Sequence, residues 1–351
     1  MSSHFRNPVV SSRDLVTTVI AAAFAVLHGS ALAQDKITIK IADPFPASHY
    51  VGKEGVQAWI AKAEELSKGR IKFEYYPAQQ LGKAKDLFAL TQSGVTDIGL
   101  VAPAYTPEKV PLSVVGELPG MFTSTCDGGR ALFKISQPGG LLAEQEYTPN
   151  GLRVLFASML APYTVMTAKG DLNTFADLAG KKIYASGGAK DIALRELGAV
   201  PVRMTGPEVY EAMHRGTLDG TMMAFIGLRP YDLQNLVKSA LNGVSLGSTA
   251  IMYTISEQKW QKLPPDVQNV LMESAAYAMQ KLCTYSDKSN DEERAAFEKA
   301  GLKVHNVTGD EKARLLKKLE PVSVQWAADL DKRGKPGTAM IKAYKQAMES
   351  K

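Results

Sequence analysis

The chain has 351 residues, 45% of them apolar and 22% charged, with a formal net charge of +5. That balance is ordinary for a globular protein. No stripe of basic residues concentrates the charge, so nucleic acid and anionic membrane surfaces are excluded as partners.

The first 33 residues read as an export signal. Arg6 and Arg13 precede and flank an apolar run, Leu15 to Leu27. Ser30-Ala31-Leu32-Ala33 then ends in the small-x-small spacing that a signal peptidase cuts. The run is shorter than the roughly 20 residues of a spanning helix. A periplasmic mature chain is expected to start near Gln34, long enough for two lobes of ordinary domain size.

Ile37 to Ile41 alternates with period two and predicts a strand. Asp43-Pro44-Phe45-Pro46 is a loop, and Val56, Trp59, Ile60, Ala63 and Leu66 mark one face of a helix that Gly69 stops. Ile71 to Tyr75 is the next alternating strand. Strand, helix and strand in this order predict an α/β lobe with a largely parallel sheet. Two later stretches echo each other: Leu90 to Ile98 and Ala212 to Gly220 each carry Gly-x-x-Asp, at Gly94/Asp97 and Gly216/Asp219, between a helix end and a strand. The echo predicts that both lobes share one plan.

Gly151 to Thr167 and Leu241 to Ile255 are long apolar segments, read as two crossings between lobes joined by a hinge. The expected boundaries are 34–161 plus 249–289 for lobe I, and 162–248 plus 290–351 for lobe II. Pro264-Pro265-Asp266 opens a helix with Val267, Val270, Leu271, Ala275, Ala278, Met279 and Leu282 on one face. It is expected to run to about Phe297 and to brace both lobes. Cys283 falls on its apolar face, so Cys283 and Cys126 are expected to be free thiols, Cys283 a buried one.

Enzyme signals are weak. Gly243-Val244-Ser245-Leu246-Gly247 matches the serine-hydrolase elbow, but that elbow needs a strand before the serine and a helix after it, and a strand is predicted from Ser248. His49, His214 and His305 have no metal-ligand spacing. Neither a phosphate loop nor a dinucleotide fingerprint occurs, so no cofactor, metal or catalytic residue is assigned.

Binding signals are better, because open α/β lobes hold ligands beyond the carboxyl ends of their strands. Those ends supply Phe45, His49 and Tyr50; Ala102, Pro103 and Tyr105; Tyr184 and Ser186; and Met222, Met223 and Phe225. The set is rich in aromatics and methionines, with a few hydroxyls. Met159, Tyr163 and Thr164 join it from the first crossing.

The motifs "PAQQLG" (77–82, with Gln80), "SGVTDIG" (93–99), "ADLAGKKI" (176–183), "LGAVPV" (197–202), "PEVYEAMHRGTLDG" (207–220) and "EQKWQKLPPDVQ" (257–268) resemble the solute-binding proteins of tripartite ATP-independent periplasmic (TRAP) transporters, of the dicarboxylate-binding type. The resemblance implies an α/β, two-lobed periplasmic binding protein with a hinge, an interlobe cleft and a long C-terminal bracing helix. It implies a monomeric receptor that closes on a small solute and delivers it to small and large permease subunits driven by an ion gradient. In that family the position after "KI" holds an arginine that forks onto a substrate carboxylate. Here it is Tyr184, a second arginine position falls on Thr164, and Thr221, Met222 and Met223 replace a polar contact run. An aromatic or apolar solute, neutral or weakly acidic, follows from that change. The alternative is a carboxylate gripped by Lys190, Arg203 or Arg229. A serine hydrolase using Ser245 and a sensory role on the same fold are the competing functions.

Overall fold

The structure, a computed structural model, describes residues 1, 2, 4 and 35–349. The expected leader and its cleavage point at Ala33–Gln34 lie outside the described residues. The strands, in chain order, begin with β1 (Ile37–Ala42), β2 (Ile71–Tyr76), β3 (Ile98–Val101), β4 (Leu152–Met159) and β5 (Thr164–Thr167). They continue with β6 (Lys182–Ala185), β7 (Val200–Arg203), β8 (Gly220–Met223), β9 (Ser239–Asn242), β10 (Ala250–Ser256) and β11 (Lys303–Asn306).

Two sheets divide them. One has the order β2-β1-β3-β10-β4 and the other β11-β9-β5-β8-β6-β7. β1 and β3 pair in parallel, and so do β6 with both β7 and β8. β10 and β5, the strands reached by the crossings, run antiparallel to their neighbours. An antiparallel strand inside an otherwise parallel sheet is what a chain leaving one lobe and returning must produce.

Among the described residues, nine α-helices cover the sheets: α1 (Ala58–Leu66), α2 (Leu87–Gln92), α3 (Thr125–Ile135), α4 (Ala189–Glu196), α5 (Val209–His214), α6 (Glu257–Lys262), α7 (Pro265–Lys299), α8 (Gly309–Lys332) and α9 (Gly337–Glu349). The fold is the expected two-lobed α/β arrangement with a long helix, α7, of 35 residues. Its first two-thirds are fastened to the first lobe: Trp59 Nε1 donates to the Leu271 carbonyl at 3.0 Å, and Asp287 accepts from Ser124 Oγ and the Thr125 N–H at 2.8 and 2.6 Å. Three residues further on, Asn290 Oδ1 accepts from the Ile226 N–H, and Glu293 pairs with Arg229 at 2.7 Å, both in the second lobe. Residues 290–349 do not stay with one sheet. α8 packs on α4 of the second lobe, whereas α9 returns to α3 of the first, where the Tyr344 hydroxyl donates to the Gly128 carbonyl at 3.0 Å.

One expectation is overturned. Cys126 and Cys283 are not free thiols; they form a disulfide between α3 and α7. The helical face of Cys283 was read correctly as buried, with 5% exposed. Periodicity, however, reports burial and not the neighbour, and Cys126 is 157 residues away in sequence.

Candidate functional site

The ends of β1, β3, β6 and β8 and the two crossings meet around one enclosed cavity. Phe45, His49, Tyr50, Ala102 and Tyr105 line it from the first lobe, and Leu160, Tyr163 and Thr249 from the crossings. Tyr184, Ser186, Gly206, Met223, Ala224, Gly227 and Tyr231 line it from the second. The free space is about 30 Å³, room for one or two waters.

Asp43 builds the first wall. Its carboxylate accepts the Phe45 N–H at 2.8 Å and the Tyr253 and Tyr75 hydroxyls at 2.8 and 3.0 Å, which fixes the turn leaving β1. Burial pushes that carboxyl up to about 6, against the pull of these three donors. The turn presents His49, whose ring stacks on Phe45 at 4.2 Å and on Tyr50 at 4.6 Å and meets Tyr231 of the second lobe at 5.7 Å. The Val51 N–H donates to His49 Nδ1 at 3.2 Å, so the neutral ring carries its proton on Nε2. Burial lowers this histidine to about 3. It is a neutral donor throughout the physiological range.

Phenols complete the walls. Tyr105 lies across the cleft from Tyr184 and Gly206, and Tyr163 beside Thr249. Tyr50 stands near Ala161 on the crossing. Burial, first among the causes, holds every one of these phenols above its ordinary range, so all are neutral. Ser186 is 7% exposed, and its hydroxyl has no protein partner. A buried polar atom left single beside a cavity is ready to bond what enters.

Among the described residues, no lysine or arginine lines this cavity. Each of the three alternative cations is already engaged. Lys190 bonds Glu117, Arg203 bonds Asp191, and Arg229 bonds Glu293 while lying 4.8 Å over the Phe297 ring.

Of the expected site residues, the cavity gathers Phe45, His49, Tyr50, Tyr105, Tyr163, Tyr184, Ser186 and Met223. Six others stand elsewhere. Gln80 is exposed and Pro103 is buried in the turn before Tyr105. Met159 packs under Gly116, and Met222 is wholly buried in β8. Thr164 donates to the Leu241 carbonyl at 2.6 Å and, with Phe225, faces a separate groove of about 430 Å³ along the crossings. Tyr231 and Thr249 were not anticipated. Tyr231 follows a short turn after β8, Arg229–Tyr231, and carries no strand-end signal of its own. Ser245 also lies in the crossing groove, its hydroxyl 3.3 Å from the Gly247 carbonyl. No helix follows it before β10, so the elbow geometry is absent. Among the described residues no group of three His, Cys, Asp or Glu could hold a metal, and no helix is long and apolar enough to cross a membrane.

Two α/β lobes joined by crossings around a cavity form an architecture that can hold a small solute. Residues 43–329 match the family described as bacterial extracellular solute-binding protein, family 7 (DctP), and the chain belongs to it. A solute-binding protein of Albidiferax ferrireducens is 27% identical, covering 83% of this chain and 87% of that one. The C4-dicarboxylate-binding periplasmic protein DctP of Rhodobacter capsulatus is 26% identical, covering 95% and 99%. Among solved structures, a TRAP solute-binding protein from an unidentified marine microbe, specific for aromatic acid ligands and holding 3-hydroxybenzoate, superposes with a TM-score of 0.82. It is 25% identical, covering 90% of this chain and 98% of that one. Proteins of this family are extracytoplasmic solute receptors that serve membrane permease subunits; they are not enzymes, and neither is this chain.

Proposed function

We propose that this receptor takes a small solute with an aromatic or otherwise apolar body, neutral or weakly acidic, in the cavity between Phe45 and Tyr231. One observation carries the reading: the cavity is walled by aromatic rings and neutral donors, with no cation facing it. Burying a carboxylate without a paired charge is costly, whereas ring faces and phenol hydroxyls suit an aromatic body with one hydrogen-bonding group. The similar marine receptor, which holds 3-hydroxybenzoate, supports the aromatic body but not the neutral charge, since that acid is a carboxylate at neutral pH. For the alternative, a carboxylate gripped by Lys190, Arg203 or Arg229, one of three existing ion pairs would have to break. The receptor acts as a monomer and hands its solute to an ion-gradient-driven permease.

Entry of a ring requires motion. Cavities that take benzene are about 150 Å³, so the His49–Tyr231 contact across the cleft has to part before a solute seats. The test is thermal stabilisation of the exported protein by benzoate, 3-hydroxybenzoate, phenol and benzamide against succinate, fumarate and malate. The aromatic compounds are expected to raise the melting temperature by several degrees, as ligands well above their Kd do. Stabilisation by the aliphatic diacids alone overturns the reading. Tyr184→Arg is expected to weaken the aromatic response and to create one to diacids.

A further inference from the structure

Glu117 and Lys190 are both completely buried, a rare state for either residue type. They come from different lobes. Glu117 ends a short turn, Leu112–Glu117, and its Oε1 accepts the Ala250 N–H of β10 at 3.0 Å. Lys190 is the second residue of α4, directly after the Ser186-Gly187-Gly188 turn that leaves β6. Its ammonium donates to Glu117 Oε2 and, at 2.8 Å, to the carbonyl of Ser248 on the second crossing. The backbone around the pair is pared down to admit it. A Cβ on Gly247, whose φ is +131°, would stand 2.6 Å from the Glu117 carbonyl oxygen, and one on Gly188 would meet Val114 at 3.4 Å. Tyr105 and Tyr163, on the cavity wall, feel the Glu117 charge.

We propose that the Glu117–Lys190 pair is the latch of the closed receptor, a positioning pair that holds the second lobe on the first with or without a solute. The inference rests on the receptor role and is independent of the solute's chemistry. Two desolvated charges attract strongly only while water is excluded from them. Hinge opening draws α4 away from the Leu112–Glu117 turn and wets both groups. The contact is therefore made in one state and lost in the other, which is what lets it shift the balance between them. It also explains why Lys190 is not a solute ligand, since its donors go to Glu117 and to the crossing.

The experiment measures the spacing of the lobes and the kinetics of one probe. Labels on Lys72→Cys in β2 and Val200→Cys in β7, both exposed positions, report the interlobe distance while the native cysteines stay tied in their disulfide. The double variant Glu117→Gln/Lys190→Met removes both charges together, so no unpaired charge is left buried. Glu117→Asp, which keeps the charge but withdraws it by one methylene, is the second variant should the first not fold. Both are expected to lengthen the interlobe distance without solute. Both should also raise the 3-hydroxybenzoate off-rate, about tenfold in the double variant, with the on-rate within about twofold. A merely structural role would lower the melting temperature and move neither readout. Parental distance distributions in the variants overturn the proposal. If the parent binds none of the aromatic compounds, the solute reading fails while the distance measurement still judges the latch.

Discussion

His49 sits where three rings converge, and its tautomer follows from one backbone N–H, that of Val51. Its burial has a consequence in solution. The unfolded chain binds a proton on this ring below its ordinary value of 6.5, but the folded protein does so only near 3. Between those limits the unfolded state holds more protons, so stability falls as pH falls, by on the order of 5 kcal/mol across the whole window. Asp43 works the other way. Its folded value of about 6 lies above the ordinary 3.8, so the folded state holds the extra proton and stability falls as pH rises through that window, by roughly 3 kcal/mol. Glu146, raised by burial to about 7, adds to the Asp43 direction. The His49 share is isolated by difference: between pH 6.5 and 4, His49→Phe is expected to lose less melting temperature than the parent. Parallel curves for the two proteins would show that the ring protonates alike in the folded and unfolded states.

At the scale of elements, the Gly-x-x-Asp echo has a physical cause. Gly94 and Gly216 take φ of +77° and +73°, the left-handed conformation that closes a helix. Three residues on, Asp97 Oδ2 accepts the Lys40 N–H at 2.9 Å and Asp219 Oδ2 accepts the Lys182 N–H at 2.8 Å. Each aspartate thus ties the start of one strand to its parallel neighbour, β3 to β1 and β8 to β6. The same pair of residues solves the same turn in both lobes. The long helix was also legible, since its apolar positions and its Pro-Pro start are local signals. The short strand β11, paired with β9, was not. Its four residues follow the long helix, and only the register with Ser239–Asn242 makes them a strand. The disulfide belongs to this scale too, because with Asp287 it bolts α7 to α3 just before the helix passes into the second lobe. Replacing both cysteines, Cys126→Ser with Cys283→Ser, is expected to cost about 2–5 kcal/mol, read as a lower denaturant midpoint. An unchanged midpoint would mean that helix packing alone carries the junction.

For the molecule as a whole, closure is concentrated in few places. The crossings lie side by side, with Tyr163 N–H bonded to the Gly247 carbonyl at 2.8 Å and Leu246 N–H to the Tyr163 carbonyl at 2.9 Å. On α7, Asp287 serves the first lobe and Asn290 the second, which leaves less than one helical turn between the anchors. Gly247 stands where the second crossing presses on Glu117. Gly247→Ala is expected to destabilise the protein by about 1–3 kcal/mol through strain and overpacking, and to expand it in small-angle scattering. A variant as compact and as stable as the parent would show that the crossing can yield.

The amino-acid order alone determined whatever is governed by near neighbours. The strand and helix periods, the paired Gly-x-x-Asp turns, the two apolar crossings and the family motifs are all local, and so is the tyrosine at position 184. It also placed aromatics at four strand ends, because a strand end is a local feature. Only the tertiary structure decided which of these side chains share a cavity. Alternate residues of one strand face opposite sides of the sheet, and a shift of one position sends Met222 into the core and Met223 to the cavity. It alone joined Cys126 to Cys283 and Glu117 to Lys190, partners 157 and 73 residues apart. Contacts between such distant positions leave no period or spacing in the chain, since they arise only when the fold brings distant segments together.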